Sequence, residues 1–372
     1  MNNLIWHDIV FGVFVFATAI QLFYYLYFYI RVGLYSKTEY SSNLPPVSIV
    51  ICAKNEAANL QKNIPLLFQQ DYPLYQVVVV NDCSVDESSL ILEQFQATYS
   101  NLHVVELDEE VIKTHDKKLA LTLGIKGAKY EHLLLTDADC MPASNKWIAN
   151  MVRNFNENKE IIIGYGPYKR AKGLLNRLIR FDAFFIGLQY LSYSIAGNTY
   201  MGTGRNLAYT KTLFFRNKGF ASQYHIQSGD DDLFVNKVST PQNTSVELSH
   251  ESFTYSNSKT TLRTWLRQKR RHVTTAKHYK LNHKILLLGN SLSQYLFYLS
   301  FIALLFSTIS PEMLFTVFGL KLVTCYLVLH KSMKRLNEMD LFLFSLFFEL
   351  ILLIIYPIIF IGNIFVKNHK WK

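Results

Sequence analysis

The chain has 372 residues, 50% of them hydrophobic and 15% aromatic, with a formal net charge of +10. The length holds one catalytic-sized domain plus further elements, and the crowding of apolar residues at the two ends excludes a single, uniformly packed globule. The positive balance suits phosphate-rich ligands or an anionic lipid surface, whereas no nucleic-acid-binding module is recognisable, so nucleic acid is not expected as a partner.

Residues 9–30 form an uncharged apolar run of about 22 residues, enough to cross a hydrocarbon core of ~30 Å. No Lys or Arg precedes the run and no small-x-small cleavage site follows it. A retained anchor is therefore expected in place of a signal peptide. Arg31 and Lys37 just behind it assign this end to the cytoplasmic side.

From residue 46 to about 284 the composition turns mixed. Residues 47–53, 77–81, 102–107, 133–136 and 161–164 are short, β-branched, apolar runs that read as buried strands, with helix-like stretches between the first four. Strands alternating with helices imply a mostly parallel sheet covered on both faces. Polar residues just past such runs then lie at the carboxyl edge, where open α/β sheets bind ligands. Between residues 172 and 186, Leu174, Leu175, Leu178, Phe181 and Phe185 recur at helical spacing beside Lys172, Arg177 and Arg180. Such a helix, in the stretch near 172–200, can lie in a membrane interface or pack on the domain core.

Three further apolar segments follow, at 285–309, 313–330 and 341–366, with Ser310-Pro311-Glu312 turning between the first two. The expected division is a membrane anchor over 1–45, a cytoplasmic catalytic domain over 46–284, and membrane helices with a basic tail over 285–372. Lys331, Lys334 and Arg335 mark a cytoplasmic loop. Four crossings would put the tail, Lys367 to Lys372, on the outside, against the positive-inside tendency, so the last crossing strains this topology. Lys321 and Glu349 fall inside apolar segments, where charge is costly; they could pair across neighbouring helices, or each could find its own polar surroundings.

Cys52, Cys83, Cys140 and Cys325 show no CxxC spacing, so neither a disulfide framework nor a zinc site is expected. The acidic residues carry more information. Asp82 ends the run 77–81, and Asp137 and Asp139 follow the run 133–136. Residues two apart on a strand point the same way, so Asp137 and Asp139 could converge on one hard divalent cation, Mg²⁺ or Mn²⁺, shared with substrate phosphates. Asp-x-Asp alone is common at turns and helix caps. Gly229-Asp230-Asp231-Asp232 offers a general base for an acceptor hydroxyl, or a solvated helix start. Arg267-Gln268-Lys269-Arg270-Arg271-His272 could clamp a diphosphate or face the membrane surface.

In this order the motifs resemble the membrane-bound branch of family 2 glycosyltransferases, the group of the cellulose, chitin and hyaluronan synthases and ceramide glucosyltransferase. The resemblance runs from Val47 to His272. It implies an α/β, GT-A-type fold, with a mostly parallel sheet flanked by helices and about four transmembrane helices, one N-terminal and three C-terminal. It further implies that Asn55 and Glu56, in Ala53-Lys54-Asn55-Glu56, together with Asp82, Lys117, Asp137, Gln268 and Arg271, bind a nucleotide-sugar. Asp139 is then the principal metal ligand with Asp137 beside it. Gly204 and Asn206 serve the acceptor, and Asp231 is the base, with Asp230 as the alternative. His272 stands where the family's Gln-x-x-Arg-Trp signature has tryptophan, which argues against processive polymer synthesis.

The expected function is inverting transfer from a nucleotide-sugar, UDP-linked, to a membrane-associated lipid, by a protein of the cell (inner) membrane with a divalent metal as cofactor. A processive polysaccharide synthase acting on a glycan acceptor is the alternative. A nucleotide-binding transporter or sensor is a third, for which a P-loop Gly-x-x-x-x-Gly-Lys-Ser/Thr would speak, and the chain has none.

Overall fold

The computed structural model describes residues 2–36, 44–108, 117–226 and 228–365. Lys37 and the tail from Lys367 to Lys372, both used above for topology, lie outside the described residues.

The chain opens with α1 (Asn2–Phe23), which runs through a π-helical stretch, Tyr24–Tyr29, into α2 (Ile30–Gly33). The central region is β1 (Val47–Ala53), α3 (Ala57–Leu67), β2 (Tyr75–Asp82), α4 (Ser88–Thr98), β3 (Leu102–Leu107), α5 (Lys117–Gly127), β4 (His132–Leu135), β5 (Met141–Pro142), α6 (Trp147–Val152) and β6 (Ile161–Ile163). It continues with α7 (Leu174–Ile195), β7 (Leu207–Thr210), α8 (Lys211–Arg216), α9 (Asp232–Val238), β8 (Thr244–Val246), β9 (Thr254–Tyr255) and α10 (Leu262–Val273). Three long helices close the chain: α11 (Leu281–Leu304), α12 (Pro311–Arg335) and α13 (Ser345–Phe365).

Seven strands form one sheet in the order β3-β2-β1-β4-β7-β6-β8. β7 alone opposes both its neighbours, and the other pairs run parallel. Each of the five expected strand runs is a strand of this sheet. β7 and β8 were not anticipated, because Leu-Ala-Tyr-Thr and Thr-Ser-Val do not stand out as apolar, β-branched runs as β4 and β6 do. The alternating side-chain directions of a strand divide the core. Ile49, Ile51, Val77 and Val79 pack with Leu60, Ile64, Trp147 and Met151 on one face. Val50, Val78, Leu133 and Leu135 pack with Leu121, Ile125 and the α7 side chains on the other. Burial on both faces explains why these strands read as continuous apolar runs.

On the second face, α7 packs on the domain core. Tyr190 on α7 donates to the Gly164 carbonyl at 3.1 Å, while the Tyr193 ring packs tilted on Phe28 at 4.4 Å and Phe185 meets Tyr29 edge-on at 5.8 Å. α7 is thus sandwiched between the sheet and the inner ends of the long apolar helices.

Among the described residues four helices are long and apolar enough to cross a membrane, spanning Trp6–Gly33, Leu281–Leu304, Pro311–Arg335 and Met339–Asn363. Lys321 and Glu349 pair at 2.9 Å, and Glu349 also accepts from Gln294 and Tyr298. One polar cluster therefore ties α11, α12 and α13 together, and neither charge meets lipid.

Candidate active site

The chain runs outward from β1 to β2 and β3, then returns to place β4 on the other side of β1. This reversal opens a crevice at the carboxyl edge between β1 and β4, the usual ligand position of open α/β sheets. Val50 and Cys52 from β1, and Leu135 and Thr136 at the end of β4, line it together with Lys117, Asp137, Gly204, Asp230 and Asp231.

The loops after β1 and β2 interlock beside the crevice. Asn55 adopts φ 55°, a left-handed conformation that asparagine tolerates better than most residues. Its amide N–H donates to Ser84 Oγ at 2.9 Å, and its side-chain oxygen accepts from the Val85 N–H at 2.9 Å. Glu56 accepts from the Asn59 side chain at 2.5 Å, at the start of α3. Asp82 ends β2 almost fully buried, with Lys54 Nζ 3.9 Å away.

Asp137 and Asp139 are not on a strand, which corrects the alternation argument made for them. β4 stops at Leu135, and the Asp-Ala-Asp segment turns away from the sheet. The turn still gathers ligand atoms: Asp137, Asp139 and Cys140 each offer one within 4.8 Å of the others. Burial, and then the charge of Asp137, raise the Asp139 carboxyl above its ordinary range. The Cys140 thiol is pushed well up, first by burial and then by Asp139; it donates to Asp139 Oδ1 at 3.4 Å. Two crowded carboxylates beside a protonated thiol form an oxygen donor set, which fits a hard divalent cation and does not suit zinc thiolate chemistry.

The adjacent lysines at the start of α5 serve different ends. Lys117 Nζ sits 2.9 Å from both Asp137 and Asp230. Burial opposes its charge, but Asp137, Asp230 and Asp231 outweigh burial and hold the ammonium protonated. Lys118 turns inward and donates to the carbonyls of Gln223, Ile226 and Ser228, fixing the loop that leads into the acidic run.

The three aspartates of that run separate completely. Gly229, at φ 99°, supplies the left-handed turn that releases them from the loop. Asp230 pairs with Lys117; burial disfavours its charge, but the lysine prevails and holds its carboxyl below the ordinary range. Asp231 caps α9, accepting from the Asp232 N–H at 2.8 Å and from the Gly204 N–H at 2.7 Å. Burial, then Asp230 and Asp232, raise the Asp231 carboxyl to about 7 against the opposing pull of Lys117. Asp232 faces away from the crevice and accepts from Thr275 Oγ1 at 2.5 Å and Tyr279 OH at 2.6 Å. The run is therefore both a helix start and a divided set of carboxylates.

Of the two acceptor-side residues, only Gly204 lines the crevice. Asn206 is fully buried: its oxygen accepts from Trp147 Nε1 at 3.0 Å, and its amide donates to the Tyr165 and Ser252 carbonyls. Between them lies Arg205, which motif matching passes over because it occupies a variable slot. Its guanidinium lies 4.5 Å over the Tyr168 ring, and its carbonyl accepts from Thr136 Oγ1 at 2.9 Å. Gln268 donates to Tyr168 OH at 3.5 Å from α10, so α10 reaches the crevice through Tyr168 and Arg205. Arg271 is one turn further along α10, and His272 is exposed in its last turn.

The sheet order and the crevice at its switch point are those of a GT-A-like fold. Residues 48–216 match the family model "Glycosyl transferase family 2", and the chain carries a family 2 glycosyltransferase domain. It is 32% identical over 126 residues to Glycosyltransferase AglE of Haloferax volcanii, covering 33% of this chain and 40% of that one. It is 27% identical over 161 residues to Poly-beta-1,6-N-acetyl-D-glucosamine synthase of Staphylococcus epidermidis, covering 42% and 38%. The chain thus spans about two fifths of the length of these curated relatives. The fold is shared with mannosyltransferase PcManGT from Pyrobaculum calidifontis, solved in complex with GDP-Man and Mn²⁺, at a TM-score of 0.60 and 17% identity over 91% of this chain and 98% of that one.

Proposed function

We propose that the chain transfers one sugar from a nucleotide-sugar, UDP-linked, to a lipid acceptor held at the membrane surface, with inversion at the anomeric carbon. The observation that carries this reading is the division of labour between Asp230 and Asp231. Lys117 keeps Asp230 ionised and occupied, whereas two backbone N–H groups fix Asp231 in place with its carboxyl near neutrality. A general base works best when its pKa lies near the working pH.

Asp231 takes the proton of the acceptor hydroxyl as that oxygen bonds to the anomeric carbon. The bond from that carbon to the diphosphate breaks on the opposite face, and the nucleoside diphosphate leaves with the electron pair. Asp137 and Asp139 would hold Mg²⁺ or Mn²⁺, which when bound supplies positive charge beside the departing diphosphate. Lys117 is placed to exchange its carboxylate partners for donor phosphate, and Arg271 with Gln268 approaches the same group from α10. Asn55, Glu56 and Asp82 lie on the side where the nucleotide would rest. Gly204 faces the acceptor, and Asn206 acts by holding the Gly204–Arg205 turn. The domain is assigned to the cytoplasmic side because Arg31, Lys331, Lys334 and Arg335 cluster at the inner ends of the apolar helices.

A processive polysaccharide synthase is the second reading, motivated by the Staphylococcus epidermidis relative. One experiment separates the two. Membranes holding the full chain are incubated with labelled nucleotide-sugars and extracted with organic solvent. Label in the lipid phase, lost in Asp231→Asn, is expected; label confined to high-molecular-weight residue favours the synthase, and label in neither overturns both.

A further inference from the structure

The last apolar helix meets the catalytic domain at its beginning, its middle and its end. Just before it, Asp340 pairs with Arg180 of α7 at 2.7 Å, and Arg177 of α7 lies 4.8 Å over the Phe344 ring. One turn into α13, Phe348 packs on Phe181 at 5.6 Å. Two turns later Tyr356 donates to Asp182 Oδ1 at 2.5 Å. Near its end, Asn363 donates to the Arg270 carbonyl of α10 at 3.0 Å, and a Cβ on Gly362 would stand 2.9 Å from the Arg270 guanidinium. α7 and α10 are themselves joined by the Lys269–Asp182 ion pair, and the segment after α10 is tied to α9 through the hydrogen bonds of Thr275 and Tyr279 to Asp232.

A helix of 21 residues is ~31 Å long, the thickness of a bilayer core. Had α13 crossed, its two ends would lie on opposite faces of the membrane, and the second end could not touch a helix of the same domain as the first. α11 and α12 behave as crossing helices do. Their ends away from the domain, Leu304 and Leu314, pack with Phe14 of α1 in a cluster to which the catalytic domain contributes nothing.

We infer that α13 does not cross the membrane: it lies in the leaflet facing the catalytic domain, and the chain leaves it on the domain's side. One face of α13 is committed to α7, α10 and the Lys321–Glu349 cluster. The other exposes Phe347, Leu350, Ile354, Ile358 and Ile361 at spacings of three and four residues, a single apolar stripe. The occupant of that stripe is the acyl-chain layer of this leaflet, since α13 is held against the domain from end to end. Three crossings remain. The conflict that a fourth crossing raised with the positive-inside tendency then disappears.

The test uses the full chain with an epitope tag after its last residue, in sealed membrane vesicles of both orientations, treated with a protease that cannot cross. Tag and catalytic domain are followed by separate antibodies. They are expected to be lost together in one orientation and protected together in the other until detergent is added. Loss of one with protection of the other, in either orientation, overturns the inference. The result does not depend on sugar transfer, so it stands or falls apart from the proposed activity.

Discussion

The Asp231 carboxylate accepts the Gly204 N–H at 2.7 Å, which joins the start of α9 to the turn at Gly204. Neither residue can shift without the other, so the position of the Asp231 carboxyl is set by backbone on both sides. A Cβ on Gly204 would come within 3.4 Å of the Asp231 carboxylate, a fit with little slack.

The raised Asp231 carboxyl fixes a pH profile. The base must be unprotonated, and its carboxyl titrates near 7, so kcat/KM in membranes should climb about tenfold per pH unit below that value and level off above it. A flat profile from pH 5 to pH 8 would remove Asp231 from the role.

The same shift has a sign for stability. A carboxyl whose folded pKa is raised favours the folded state most while it is protonated, and this contribution is lost as pH rises from its ordinary range through about 7. Asp231→Asn should therefore raise Tm in detergent at pH 8 more than at pH 5, while lowering turnover by roughly 10²–10⁴. A drop in Tm at pH 8 would contradict the burial argument.

Metal dependence should centre on Asp139. Chelation is expected to abolish transfer, and Mg²⁺ or Mn²⁺ to restore it. Asp139→Asn, which leaves the turn its size but removes one charged donor, should raise the metal concentration for half-maximal activity by at least about tenfold. Unchanged metal dependence would displace the site from the Asp-Ala-Asp turn.

Glu349 holds together three helices through Lys321, Gln294 and Tyr298. Glu349→Leu leaves Lys321 buried without its counter-charge and should cost about 3–5 kcal/mol. Lys321→Met with Glu349→Leu should recover most of that loss, read as Tm in detergent. No recovery in the double variant would mean that the helices need the polar contacts themselves.

Asp232 offers a positioning test. Asp232→Ala removes the acceptor of both Thr275 and Tyr279, so the segment after α10 should loosen from α9 and α10 should lose part of its anchorage. The expected outcome is a raised KM for the nucleotide-sugar with a smaller change in kcat; Asp232→Asn, which keeps one acceptor oxygen, should restore part of it. A pure loss of kcat would instead make Asp232 a participant in the chemistry.

The sheet was legible because its strands are covered on both faces. Val77 to Val80 could be read as a strand without any alternation, and Asp82 then fell at its carboxyl end. Lys117 was found through its motif, but the division of work with Lys118 was not, since adjacent lysines are identical until the helix assigns each a direction. Arg205 escaped because its partner Tyr168 is brought to it only by the fold. Asn206 was drawn to the acceptor by its motif, yet burial and three hydrogen bonds commit it to the interior.

Asp182 receives both Lys269 of α10 and Tyr356 of α13. A single carboxylate thus couples a helix seated in the leaflet to the helix that carries Gln268 and Arg271. Handling follows from this: a detergent that strips lipid from beneath α13 can shift α10 while leaving the sheet intact. The purified protein should then lose turnover well before it loses its fold, and added phospholipid should bring the turnover back.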